Sequence, residues 1–67
     1  MNNKFNTENL TKVVGNEFLS IFFDKDNDMY YTVDNDSELV DEDKNYSKIE
    51  KMFRIFSAIA FSNKATA

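Results

Sequence analysis

The residues with the greatest chemical potential in this sequence are its carboxylates. Positions 24 to 43 hold nine acids, Asp24, Asp26, Asp28, Asp34, Asp36, Glu38, Asp41, Glu42 and Asp43, against the single Lys25, a net charge of -8. The first six fall at every second residue in two triplets. In an extended chain, residues i and i+2 share a face about 6.5 Å apart, close to two nucleotide steps of a duplex strand at about 3.4 Å each. Such a row can imitate a phosphate backbone and enter a groove built for nucleic acid. The competing explanation is that turns and edge strands carry acids for solubility.

Other uses of these groups fare worse. Asp24, Asp26 and Asp28 begin like the calcium loop of an EF-hand, but the sixth position is Met29 where that loop turns on Gly, and the twelfth is Asn35 where it needs a bidentate Glu. Starting again at Asp34 puts Leu39 and Asn45 at those places. Paired carboxylates act as acid and base when an apolar pocket raises the pKa of one, whereas these acids crowd into hydrated turns. The chain has no histidine and no cysteine, so its serines lack an activating base, and Gly15 is the only glycine, so no glycine-rich loop can hold phosphate. The expectation is a protein that is not an enzyme, with no catalytic residue, no cofactor and no metal site.

The elements that must position these acids belong to one small domain. With 67 residues, 42% of them hydrophobic and 15% aromatic, residues 1–67 form a single unit with a modest core. Residues 5 to 15 read as a short helix, with Asn6 as N-cap, Gly15 as a left-handed stop, and Phe5, Leu10, Val13 and Val14 as its apolar face. Glu17 to Phe23 and Met29 to Val33 are rich in aromatic and β-branched residues around the polar Asp-Lys-Asp-Asn-Asp, the signature of an antiparallel hairpin. Ser37 to Asp41 can add a third strand and make it a meander. Both faces of the first strand are largely apolar, which points to a second copy or a partner on the face that the helices leave open, the alternative being an exposed aromatic or two.

The last element is an amphipathic helix from near Ser47 to near Asn63, opened by a Ser47/Glu50 capping box. Ile49, Met52, Phe53, Phe56, Ile59 and Ala60 line one stripe; Lys44, Lys48, Lys51 and Arg54 lie opposite. Ile55 and Phe61 project away from the apolar stripe and mark a contact surface. The fold class is therefore α+β: an N-terminal helix, a hairpin or three-stranded meander, and a long C-terminal helix.

Charge is segregated: residues 1–23 balance to zero, and residues 44–67 carry five bases against Glu50. The acidic total of -4 argues against the lysine stripe contacting nucleic acid directly. No secretory signal is visible and no apolar run approaches the ~20 residues of a membrane span, so a cytoplasmic protein without a membrane role is expected. In size, charge and lack of catalytic groups the chain resembles the small acidic phage-encoded inhibitors of host nucleic-acid enzymes and defence systems, such as anti-CRISPR and anti-restriction proteins. That resemblance implies a non-catalytic inhibitor working in the host cytoplasm on a protein with a basic surface. Asp24, Asp26, Asp28, Asp34, Asp36 and Glu38 would enter the basic groove, with Tyr30 and Tyr31 as anchors. The alternative is a small structural or regulatory homo-oligomer joined through Ile55, Phe56, Ile59 and Phe61. Chains this short commonly need such support, and without cysteine or histidine neither a disulfide nor a zinc site supplies it.

Overall fold

The structure, a computed structural model, describes residues 4–66. It is a four-stranded antiparallel meander followed by one helix: β1 Thr11–Gly15, β2 Leu19–Asp24, β3 Met29–Asp34, β4 Leu39–Asp43 and α1 Tyr46–Thr66. The sheet order is β1-β2-β3-β4, so every strand pairs with its sequence neighbour. Principal extents of 40 × 32 × 15 Å describe a thin slab of one sheet and one helix layer.

No helix forms between residues 5 and 15, contrary to the expectation above; Thr11–Gly15 is the edge strand β1. The reason lies in Thr11, Val13 and Val14, whose β-branched side chains suit a pleated surface, and in the free edge of β2, whose backbone groups β1 satisfies. Two helical turns could not compete with a four-residue register on β2. Asn6 does use its side chain as a cap would, its Oδ1 accepting from the Glu8 amide at 2.9 Å, but the result is a local turn. Gly15 is not left-handed, since no glycine has a positive φ. A methyl group there would meet the Lys12 and Ser20 side chains at 2.7 Å, so those two side chains would have to move aside for it.

The hairpin is present as β2 and β3, in register from Leu19↔Asp34 to Asp24↔Met29. The third strand of the expected meander lies slightly later than Ser37 to Asp41, at Leu39–Asp43, and β1 makes the sheet four-stranded. Both edge strands carry a bulge. On β1 the register passes from Lys12↔Phe22 to Val14↔Ile21, skipping Val13; on β4 it passes from Leu39↔Val33 to Asp41↔Thr32, skipping Val40. An extra residue twists each edge and discourages edge-to-edge pairing.

Residues paired directly across antiparallel strands share a face. The face under α1 carries Val14, Leu19, Ile21, Phe23, Tyr30 and Thr32. Leu19, Ile21, Ile49 and Phe53 form the buried cluster there, with Phe18, Tyr30, Tyr46 and Phe56 packed against it. The other face carries the row Lys12–Phe22–Tyr31–Glu42 and buried Val33. The N-terminal segment covers part of it: the Phe5 ring lies 4.7 Å from Tyr31, and the Phe5 amide donates to the Ser37 carbonyl at 2.6 Å. The far face is thus partly covered within the chain itself, over β3, by an extended segment, and Phe22 and Ser20 of β2 stay half-buried there.

The helix starts one residue before Ser47, and the capping box is not used. Asn45 is the N-cap instead: its Oδ1 accepts from the Ser47 amide at 2.9 Å and its carbonyl accepts from the amides of Lys48 and Ile49. Glu50, freed from that role, sits 3.6 Å from Arg54 one turn on. α1 approaches β2, β3 and β4 but not β1.

Candidate functional site

The two acidic triplets turn out to be two hairpin turns. At the β2–β3 turn, Asp24 Oδ1 accepts from the amides of Asp26 at 3.1 Å and Asn27 at 3.3 Å, while Oδ2 accepts from the Asn27 side-chain amide at 2.7 Å and the Tyr31 hydroxyl at 3.5 Å. The Asn27 bond, with help from these backbone donors, holds the Asp24 carboxyl below its ordinary pKa. At the β3–β4 turn, Asp34 Oδ1 accepts from the amides of Asp36 at 2.9 Å and Glu38 at 3.0 Å. The first acid of each triplet is therefore folded inward as a turn cap. Each turn also needs a left-handed residue, Asp28 at φ 52° and Ser37 at φ 63°. The Asn35 side chain fixes the second turn to the neighbouring loop by donating to the Glu17 carbonyl at 2.6 Å.

Asp26, Asp28, Asp36 and Glu38 remain exposed. They do not form one row. β3 separates the turns, so the pair at one end of the sheet stands about 20 Å from the pair at the other, six residues at roughly 3.3 Å each. Neither triplet is an extended strand, so the 6.5 Å spacing considered above does not describe them.

Tyr30 and Tyr31 are consecutive strand residues and face opposite ways. Tyr30 lies in the helix-side packing, 4.8 Å from the Phe23 ring and 5.0 Å from the Tyr46 ring. Tyr31 lies on the far face with Phe5 and Phe22. Burial raises its phenol pKa, and the charges of Asp24 and Glu42 add to that. Glu42 and Lys12, which bracket the Tyr31 row, were not legible as part of a site, because their place depends on register.

The proposed contact residues of α1 divide three ways. Phe56 is half-buried against the core. Phe61, 48% exposed, meets Phe18 edge-on at 4.7 Å. Ile55 and Ile59 stay open, at 42% and 53% exposure. Around Phe18 the β1–β2 turn is tied to the helix twice more: the Asn16 side-chain amide donates to the Ser57 hydroxyl at 2.9 Å, and Lys64 Nζ lies 2.6 Å from Glu17 Oε1.

Among the described residues, no group of three or more carboxylates converges on a point that could hold a metal ion, and no helix is long and apolar enough to cross a membrane. What the arrangement offers is surface: exposed carboxylates at two ends of a sheet, half-buried aromatics between them, and an open apolar flank on the helix. No protein-family model matches the chain, and no curated protein or solved structure matches it significantly.

Proposed function

We propose that the chain is a non-catalytic binding protein that inhibits another protein by occupying its basic surface with the acidic ends of the sheet. The observation that supports this reading is the division of labour within the acids. Asp24 and Asp34 are consumed by turn capping, whereas the side chains of Asp26, Asp28, Asp36 and Glu38 make no hydrogen bond or ion pair among the described residues and point charge into solvent on rigid hairpin tips. Rigid presentation lowers the entropy lost on docking, and an excess of one sign accelerates encounter with the opposite sign. The two tips suit two separate basic patches better than one continuous groove. A host nucleic-acid-binding or defence protein offers such patches, in keeping with the resemblance to small acidic phage-encoded inhibitors.

The test is affinity capture from a lysate of the source organism at low and high salt. The wild type would be compared with the variant Asp26→Asn, Asp28→Asn, Asp36→Asn, Glu38→Gln. A partner retained at low salt, released by salt and lost with the four amides supports the reading. A partner held equally well by the amide variant, or unaffected by salt, overturns it.

A further inference from the structure

We propose that two copies of this chain pair antiparallel through one flank of α1, forming a weak symmetric dimer. This surface leaves the Asp26 and Asp28 tip at the β2–β3 end free but engages Asp36 and Glu38, so a second copy would compete with a basic partner for the latter tip alone.

The flank is identified by what holds the other one. Ser57, Phe61 and Lys64 contact Asn16, Phe18 and Glu17, so that side of α1 faces the β1–β2 turn. At 100° per residue, Met52, Ile55 and Ile59 lie on the opposite flank, toward β4. With Lys48 before them and Ser62 after, they recur at alternating steps of four and three, the spacing of a seam that packs against another helix. Ile55 and Ile59 are 42% and 53% exposed, while Met52 is half-buried at the seam's edge. The chain also has reason to recruit support: among the described residues, only Leu19, Ile21, Val33, Ile49 and Phe53 are buried apolar side chains, a thin core for a domain without disulfide or metal.

Charge selects a second copy as the occupant and sets its direction. Lys44, Lys48 and Lys51, at the start of α1, are exposed and have no ion pair among the described residues. Asp36 and Glu38, equally unpaired, lie at the sheet end where α1 finishes. The two sets are too far apart to meet within one copy, since Lys48 to Ser62 alone spans about 21 Å of helix. An antiparallel pair brings the lysines of each copy to the acidic turn and negative helix end of the other, twice over. A parallel pair would stack lysine on lysine. A basic partner protein would meet those same lysines, and a nucleic acid would meet the acids beside them. Two helices touching over four turns bury less than the ~1,200 Å² of a standard interface, so the dimer is expected to dissociate in the micromolar range.

Sedimentation velocity of the full chain across two decades of concentration reads this directly. The expected result is a monomer–dimer shift that Ile59→Glu abolishes while leaving the melting temperature of the dilute monomer unchanged, because Ile59 is largely exposed. Lys48→Glu should weaken the dimer, and adding Glu38→Lys should restore it. Because the chain has no cysteine, direction can be read by mixing Ile55→Cys and Ile59→Cys variants under mild oxidation. Parallel pairing lets both variants link to themselves, whereas antiparallel pairing in the register that sets Ile55 against Ile59 links one variant to the other. A concentration-independent monomer, a dimer indifferent to Ile59→Glu, or self-linking of each cysteine variant would overturn the proposal.

Discussion

Thr32 sits at the centre of β3, fully buried, with its hydroxyl oxygen unpartnered. Its cross-strand neighbours on that face are fully buried Ile21 and half-buried Asp41, and neither supplies the hydroxyl with a hydrogen bond. Leaving a buried hydroxyl without a hydrogen bond costs about 1–3 kcal/mol in mutational series. Thr32→Val keeps the β-branched shape and strand preference while exchanging that hydroxyl for a methyl group. Allowing for imperfect fit of the methyl, stability should rise by about 1–2 kcal/mol. In a domain of this size each kcal/mol moves the melting temperature by roughly 4–8 °C. Far-UV circular dichroism melts and urea titrations would measure it, the urea midpoint rising with an unchanged m-value. Thr32→Ser, which keeps the hydroxyl and opens a methyl-sized void, should destabilise by about 1 kcal/mol. A Thr32→Val protein less stable than wild type would refute the reasoning, because it would mean that the hydroxyl has a partner, such as a buried water, whose loss outweighs the gain.

Asn16→Ala should destabilise by about 2–3 kcal/mol in urea unfolding, at roughly 1 kcal/mol per bond, since Asn16 Oδ1 accepts from the amides of Phe18 and Leu19 and its Nδ2 donates to Ser57. Asn16→Asp, which keeps the accepted bonds, should lose less than Asn16→Ala; equal losses would assign the whole effect to the Ser57 contact. Ser37→Gly relieves a left-handed φ of 63° and should stabilise by about 0.5–1 kcal/mol despite glycine's larger unfolded-state entropy, as thermal melts would show. The pKa of Asp24 is lowered by folding. Its contribution is therefore present above its unfolded pKa and lost as pH falls through the folded value. The stability gap between wild type and Asp24→Ala should shrink on acidification, and a gap constant from pH 7 to roughly pH 2 would contradict the bonding seen at the turn. Tyr31 shifts the other way, so the ionisation that Tyr31→Phe removes from an alkaline absorbance titration should lie above the ordinary phenol range.

The parts of the fold legible in the sequence were those whose periodicity and turn chemistry agree. The β2–β3 hairpin showed itself through β-branched and aromatic runs around a polar loop, and α1 through three- and four-residue apolar steps. β1 was misread because Asn6, Leu10 and Gly15 mimic helix punctuation around a segment whose β-branched residues favour a strand, and only the open edge of β2 decides between them. The capping error at α1 has a similar origin: Asn45 and Ser47 are both competent N-caps, and the path of the chain out of β4 selects the first. The exposure of Ile55 and Ile59 was half legible, since a helical wheel separates Ile55 from the stripe but places Ile59 within it. The side of α1 held by Asn16, Glu17 and Phe18 carries Ser57, Phe61 and Lys64, and Ile59 lies away from it.

The acidic triplets show why spacing alone misled about the candidate site. An acid at the first position of a hairpin turn accepts from amides two or more residues on, and a short polar residue that tolerates left-handed φ closes the turn. Two such turns in succession write Asp24-Lys25-Asp26-Asn27-Asp28 and Asp34-Asn35-Asp36-Ser37-Glu38 without any need for a ligand. The alternation is thus a by-product of turn chemistry for Asp24 and Asp34, which leaves Asp26, Asp36 and Glu38 without a structural duty and gives Asp28 only a backbone one. Stability and binding should therefore separate by residue. Asp24→Ala and Asp34→Ala should lower the melting temperature, whereas amides at positions 26, 28, 36 and 38 should leave it within the small range of surface substitutions while reducing salt-sensitive association. If all six substitutions destabilised alike, the acids would be a scaffold only, and the case for docking through them would fall with the division that supports it.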